Sequence, residues 1–264
     1  MAPDGPLVLP GETIDPSLVP SHPKNPLRLG PGLRHIPPTD IVPTVAGQLI
    51  TNPVKNSMWI EYNSNRYIPS PNDLILAQIL RSTTDAYLCT ITPYSAPATL
   101  PHLAFEGATK KTRPQLAPGQ LVYARITPAS ANRHMDPELE CVSATTGKAD
   151  GLGPIGVVGT TSGSGSGSTG PGCVFDISLG FARRLLMARS REDGGVGVLE
   201  MLGGEEGGGL AFETAVGRNG RVWVGSESAR TVVLVGRALQ ETDRAGLGME
   251  GQRRLVKKLV REMK

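Results

Sequence analysis

Apolar residues recur along the chain in short runs that alternate with polar positions and are cut by glycine, proline and asparagine. Runs of this kind with turn residues between them read as short strands. The clearest set predicts strands over 73–80, 86–91, 119–126 and 139–143, with a turn at Thr84-Asp85. In the third of these, either Leu121, Tyr123 and the stem of Arg125 face inward, or their opposites do. An earlier stretch, from Gly32 to Tyr67, holds shorter runs bounded by Asn52-Pro53 and Asn63-Ser64-Asn65, and predicts a small β-module. Residues 1–30 carry seven prolines among isolated aliphatics and read as an extended arm without packed elements.

The period changes in the last third. Ser178 can cap a helix through Met187, with Leu179, Ala182, Leu185 and Leu186 on one face. Strands are expected at 210–216 and 222–224, then a helix from about Ala229 with Val232, Val235 and Leu239 at helical spacing. A final helix places Leu255, Val256, Leu259, Val260 and Met263 on one side, with Arg253, Arg254, Lys257, Lys258, Arg261 and Lys264 around the rest. The fold class expected is multi-domain and mainly β, with an α+β C-terminal domain. The boundaries are 1–66 for arm and N-terminal β-domain, 67–147 for a barrel, and 148–264 for the last domain with a Gly/Ser-rich insert at 159–172. This set of short strands with one long connection fits an OB-type barrel, a fold whose strand face and loops bind oligonucleotides.

Composition narrows the function. Aromatics make up 4% of the 264 residues while glycine (33) and proline (23) are abundant, which favours small loop-rich modules over one large core. The net charge of +3 lies wholly in 148–264, with 16 basic and 13 acidic residues there. So small an excess does not mark a nucleic-acid binder; local clusters must carry that role. Cys89, Cys141 and Cys173 lack C-x-x-C spacing and read as thiols of a reducing compartment. The four histidines have no metal-ligand spacing, and there is no Walker lysine loop, G-x-S-x-G or H-E-x-x-H. Asp136 and Glu138 stand as a solvated loop pair about Pro137. No cofactor, no metal, no signal peptide, no membrane span and no catalytic constellation is expected.

Two loops carry candidate chemistry. Lys110-Lys111-Thr112-Arg113 puts three cations within four residues on the long barrel connection, where they would meet phosphates without reading sequence. Arg125 and Arg133 are weaker candidates for the same role. Gly217-Arg218-Asn219-Gly220 runs into Arg221-Val222-Trp223-Val224. It matches the Gly-x-x-Gly loop by which KH domains clamp a nucleic-acid backbone, but that clamp joins two helices. Here the loop leads into a strand, so Gly217, Asn219 and Gly220 are expected to form a structural turn, with an Asn-Gly pair at positive φ.

Three blocks in order resemble the S1/KH-domain cap subunits of the eukaryotic RNA exosome, the ribosomal RNA-processing protein 40 family. They are Phe105-Glu106-Gly107-Ala108-Thr109-Lys110-Lys111 with Arg113-Pro114; Met135-Asp136-Pro137-Glu138-Leu139 leading to Gly147-Lys148-Ala149-Asp150-Gly151-Leu152-Gly153; and Gly217 to Val224. The resemblance spans about residues 45–240. It implies an N-terminal β-domain, an S1-type OB barrel and a KH domain. It also implies a non-catalytic role on a ring of RNase PH-like proteins, beside fellow S1/KH cap proteins, threading single-stranded RNA of any sequence toward a separate 3′→5′ exonuclease. The location implied is nucleus and nucleolus, with some cytoplasm. A purely architectural subunit, with its cations facing protein partners, is the alternative. The Gly/Ser insert (162–168) and the glycine-rich loop (203–209) depart from the family as loop expansions.

Overall fold

The structure, a computed structural model, describes residues 5–23, 25–62, 66–128, 136–156, 172–187, 196–204 and 208–263. Residues 159–171 of the insert expected at 159–172, residues 205–207 of the second glycine-rich loop, and Arg133 lie outside them, and Gly172 belongs to a strand. The chain forms two compact units, one built on residues up to Asn65 and one from Arg66 onward.

The first unit contains β1 (Leu7–Val8), β2 (Arg28–Leu29), β3 (Leu33–Ile36), β4 (Asp40–Pro43), β5 (Gly47–Asn52) and β6 (Ser57–Glu61). Its main sheet runs β1-β5-β6-β2, and β3 and β4 form a separate hairpin. Leu49, Met58 and Ile60 alternate inward from β5 and β6. The arm differs from expectation. Val8 and Ile14 are buried in the same core, β1 pairs antiparallel with β5, and β2 runs parallel to β6. Proline fixes extended φ and lacks a donor, so a proline-rich arm still suits short edge strands.

The second unit starts with a barrel. Its strands are β7 (Leu74–Ser82), β8 (Ala86–Thr90), β9 (Ala98–Pro101), β10 (Leu121–Ile126), β11 (Leu139–Glu140) and β12 (Gly153–Ile155). The sheet runs β11-β10-β7-β8-β9, and β12 adds to β10. A parallel bridge between Thr99 and Glu138 links the β9 edge to the segment before β11, so the sheet nearly closes. On β10 it is Val122, Ala124 and Ile126 that enter the barrel core with Ile75, Ala77, Ile79 and Leu139. The barrel reaches Ile155, beyond residue 147, because β12 completes it.

The last module follows as β13 (Gly172–Asp176), α1 (Leu179–Met187), α2 (Val198–Gly203), β14 (Glu213–Gly217), β15 (Arg221–Gly225), α3 (Ala229–Ala245) and α4 (Met249–Met263). Its sheet is β13-β15-β14, antiparallel throughout. The Ser178 cap forms: its hydroxyl accepts from Phe181 N–H at 3.2 Å. Asp243 of α3 locks that cap, taking the Ser178 N–H and hydroxyl at 2.6 Å each. Val232, Val235 and Leu239 of α3 and Leu255, Val256 and Leu259 of α4 join one core with Phe181 and Val222. Arg237 ties the two helices across their exposed side through Glu262. Barrel and last module belong to the same unit, so contacts between them position the candidate loops.

Candidate nucleic-acid interface

The connection from β9 to β10 is long, yet it is pinned at both ends. Phe105 and Leu116 are buried in the barrel core, and Phe105 bridges in parallel to Cys141. Between these anchors the backbone rises into a tight turn. Thr112 N–H and Arg113 N–H both donate to Thr109 O, at 3.2 and 2.9 Å. The Thr112 hydroxyl meets the Thr109 hydroxyl at 2.8 Å and receives the Thr109 N–H at 3.0 Å. With both threonines occupied inside the turn, Lys110 and Lys111 point outward and are exposed, and Arg113 is half-buried. None of the three cations forms an ion pair among the described residues. Glu106, at the base of the turn, accepts Ala149 N–H at 2.7 Å and joins this loop to the one before β12.

Arg125 stands elsewhere. It is buried in β10, its guanidinium bonded to Asn72 at 2.5 Å and paired with Glu140. Both terminal nitrogens of this buried guanidinium are engaged inside the protein, by Asn72 and Glu140, so it has no fork to offer a phosphate and the geometry removes it from the candidate contacts. Arg133 lies outside the described residues.

The Gly217–Gly220 loop joins β14 to β15, not two helices. Gly217 pairs with Arg221, which leaves Arg218, Asn219 and Gly220 as a three-residue hairpin loop. Positive φ falls on Gly220 alone in this turn, at 77°, and not on the Asn-Gly pair. A Cβ at Gly220 would stand 2.7 Å from Ile177 O. The loop lies against the barrel. Asn219 is buried, and its carboxamide accepts Leu76 N–H at 3.2 Å while donating to Leu76 O at 2.9 Å and Ile91 O at 2.8 Å. Arg218 N–H donates to Leu74 O at 2.7 Å. On β7, pairing with β8 ends at Gln78 and Thr90; at Leu76 and Leu74 the hairpin loop occupies that edge instead. The Asn219 side chain thus takes the place of a neighbouring strand's peptide group.

Side chains around this seam extend the attachment. Arg218 reaches Asp73 at 3.3 Å, and Asp73 also accepts the Tyr67 hydroxyl at 2.8 Å. Burial and the Asp73 carboxylate push the Tyr67 phenol well above its ordinary value. The Tyr123 hydroxyl donates to Val216 O at 3.0 Å, and burial pushes its phenol up to about 12. Sequence reading missed Asp73, Tyr67 and Tyr123 in this role; the signal available was the turn asparagine itself, whose carboxamide does not need a positive φ. Among the described residues no group of three or more His, Cys, Asp or Glu could hold a metal ion. No helix among them is long and apolar enough to cross a membrane.

Three family models match in chain order. "Exosome complex exonuclease Rrp40 N-terminal domain" covers residues 27–66, "Exosome complex component RRP40, S1 domain" covers 67–153, and "KH domain" covers 172–230. The chain is similar to the exosome complex component rrp40 of Schizosaccharomyces pombe, 37% identical over 96% of this chain and 94% of that one. It is 31% identical to exosome complex component RRP40 of Saccharomyces cerevisiae, over 89% of this chain and 87% of that one. For the Drosophila melanogaster protein of the same description, identity is 36% over 83% and 81%. A solved structure described as "Crystal structure of putative exosome complex RNA-binding protein" shares the fold, with TM-score 0.51 and 20% identity over 75% of this chain and 98% of that one. With its barrel, its hairpin latch and its α+β module matched in order and nearly end to end, the chain belongs to the RRP40 family of exosome complex components.

Proposed function

We propose that this chain is a non-catalytic, RNA-binding cap subunit of the RNA exosome. In this reading it helps assemble the core ring of RNase PH-like proteins beside fellow S1/KH cap proteins, and guides single-stranded RNA to a separate 3′→5′ exoribonuclease. The observation that carries the RNA contact is the Lys110–Arg113 turn: three cations on a pinned barrel loop, with Lys110 and Lys111 exposed and no ion pair holding them among the described residues. Such a group meets phosphates by charge and is indifferent to base identity. The KH-type module contributes through its attachment to the barrel and not through its Gly-x-Asn-Gly loop. Nucleus and nucleolus, with some cytoplasm, are the compartments where this work is placed.

The test is a salt series on RNA binding by the full chain. Each phosphate contact to a single strand adds about 0.7 to the slope of log K against log salt. Replacing Lys110, Lys111 and Arg113 by alanine should remove about 2 units of slope and weaken all sequences alike. An unchanged slope favours the architectural reading, in which these cations face protein partners. A nuclease assay on the purified chain checks the non-catalytic part: release of nucleotides from RNA overturns it.

A further inference from the structure

Besides the Phe105 and Leu116 anchors, a polar side chain of the barrel holds the stem of the turn that carries Lys110, Lys111 and Arg113. Tyr87 of β8 is 3% exposed, with its ring in the barrel core. Its hydroxyl emerges between two backbone groups that follow the cations directly: it donates to Pro114 O at 2.7 Å and accepts Leu116 N–H at 3.2 Å. Both capacities of the phenol are used on the stem of the basic loop.

The ring is fixed in turn. His102 meets Tyr87 edge-on, with centroids 4.3 Å apart and planes at 88°. His102 is buried, and one ring nitrogen, Nε2, lies 3.0 Å from Thr83 O. A carbonyl only accepts, so Nε2 carries a hydrogen, while Nδ1 is buried without a hydrogen-bond partner among the described residues. The Thr83 hydroxyl closes the β7–β8 turn on Ala86 O at 2.7 Å. An unbroken series of contacts therefore runs from that turn through His102 and Tyr87 to the residues after Arg113.

We propose that Tyr87 is a positioning residue for RNA: its hydroxyl braces the stem of the basic loop so that the cations stand ready at the barrel surface, and His102 holds the ring in place. This rests on the reading of Lys110, Lys111 and Arg113 as phosphate contacts. Fixing a loop before binding removes an ordering cost that the complex would otherwise bear. The crest of the turn has its own Thr109–Thr112 bonds, so freeing the stem changes where the cations point and leaves the turn itself formed.

Tyr87→Phe keeps the ring and its contact with His102 and removes both hydrogen bonds. Binding of a uridine 12-mer by the full chain should weaken about fivefold, the effect of one or two neutral hydrogen bonds. The salt slope should stay within about 0.3 of the parent, because every cation remains. In the Lys110/Lys111/Arg113 triple-alanine background, Tyr87→Phe should change affinity by less than about 1.5-fold, since the two sites act as one. Equal weakening in both backgrounds, or none in the parent, overturns the positioning role and leaves the loop's RNA contact standing. Normal binding by the triple-alanine chain overturns that contact and the brace with it. Hydrogen exchange on the parent chain gives a measurement free of any folding defect. The Leu116 amide should be protected well above a random coil, and exchange at the coil rate refutes the brace.

Discussion

The loop at 217–220 and the turn at 109–113 belong to one compact unit, and each sets arginine among small or polar residues. In the first, every distinctive group is engaged inside the protein: Asn219 on Leu76 and Ile91, the Arg218 N–H on Leu74, the Arg218 side chain on Asp73, and Gly220 in a backbone region that a Cβ would crowd. In the second, the internal bonds fall to the two threonines and the backbone, and the lysines are left outward. What separates a structural loop from a binding loop is whether its polar atoms are already satisfied, and composition does not reveal that.

Breaking the first loop should cost the most. Asn219→Ala leaves the Leu76 N–H, Leu76 O and Ile91 O buried without their partner, a loss of about 3 kcal/mol. For a unit of this size the melting temperature should fall by roughly 6–12 °C. A shift under about 2 °C in calorimetry would refute the latch. Gly220→Val forces a β-branched side chain into positive φ against Ile177 O, at about 2 kcal/mol, with RNA affinity unchanged for the folded fraction. Loss of RNA binding at full stability would return this loop to the clamp reading.

The second loop should respond in the opposite sense. The Lys110/Lys111/Arg113 triple-alanine chain should bind RNA about tenfold more weakly, near 1.4 kcal/mol, and melt within about 1 °C of the parent, since exposed charges add little stability. A large melting shift with intact affinity would reverse the assignment of the two loops. Arg218→Ala should have the smallest effect. Its pair with Asp73 is 3.3 Å long with the arginine 42% exposed, so after screening it contributes about 0.5 kcal/mol, and RNA affinity should stay within about threefold. A tenfold loss of affinity with unchanged melting would show that Arg218 touches RNA.

Much of this was legible where the pattern is local. Alternation placed β7, β8 and β10, and helical spacing placed α3 and α4, because each buries one face along its own length. Ser178 announced its helix by cap chemistry, together with Leu179, Ala182, Leu185 and Leu186 on one face. Elements without a pattern of their own were not legible: β1 and β2, two residues each, form only when distant strands accept them, and α2 is a six-residue helix opened by a glycine. Arg125 read as a free cation because its partners, Asn72 and Glu140, are 53 and 15 residues away in sequence. Asn219 meets Leu76 across 143 residues, and no periodicity records that.

The occupation of the β7 edge by Asn219 bears on how the chain could be divided. A fragment ending at Ile155 would keep every barrel strand but would bare the Leu76 N–H and the Leu74 and Leu76 carbonyls along an otherwise ordered edge. Bare strand edges template pairing with other chains. The severed barrel would therefore be prone to self-association, and the hairpin it lost acts in the intact chain as a solubility device supplied from across the sequence.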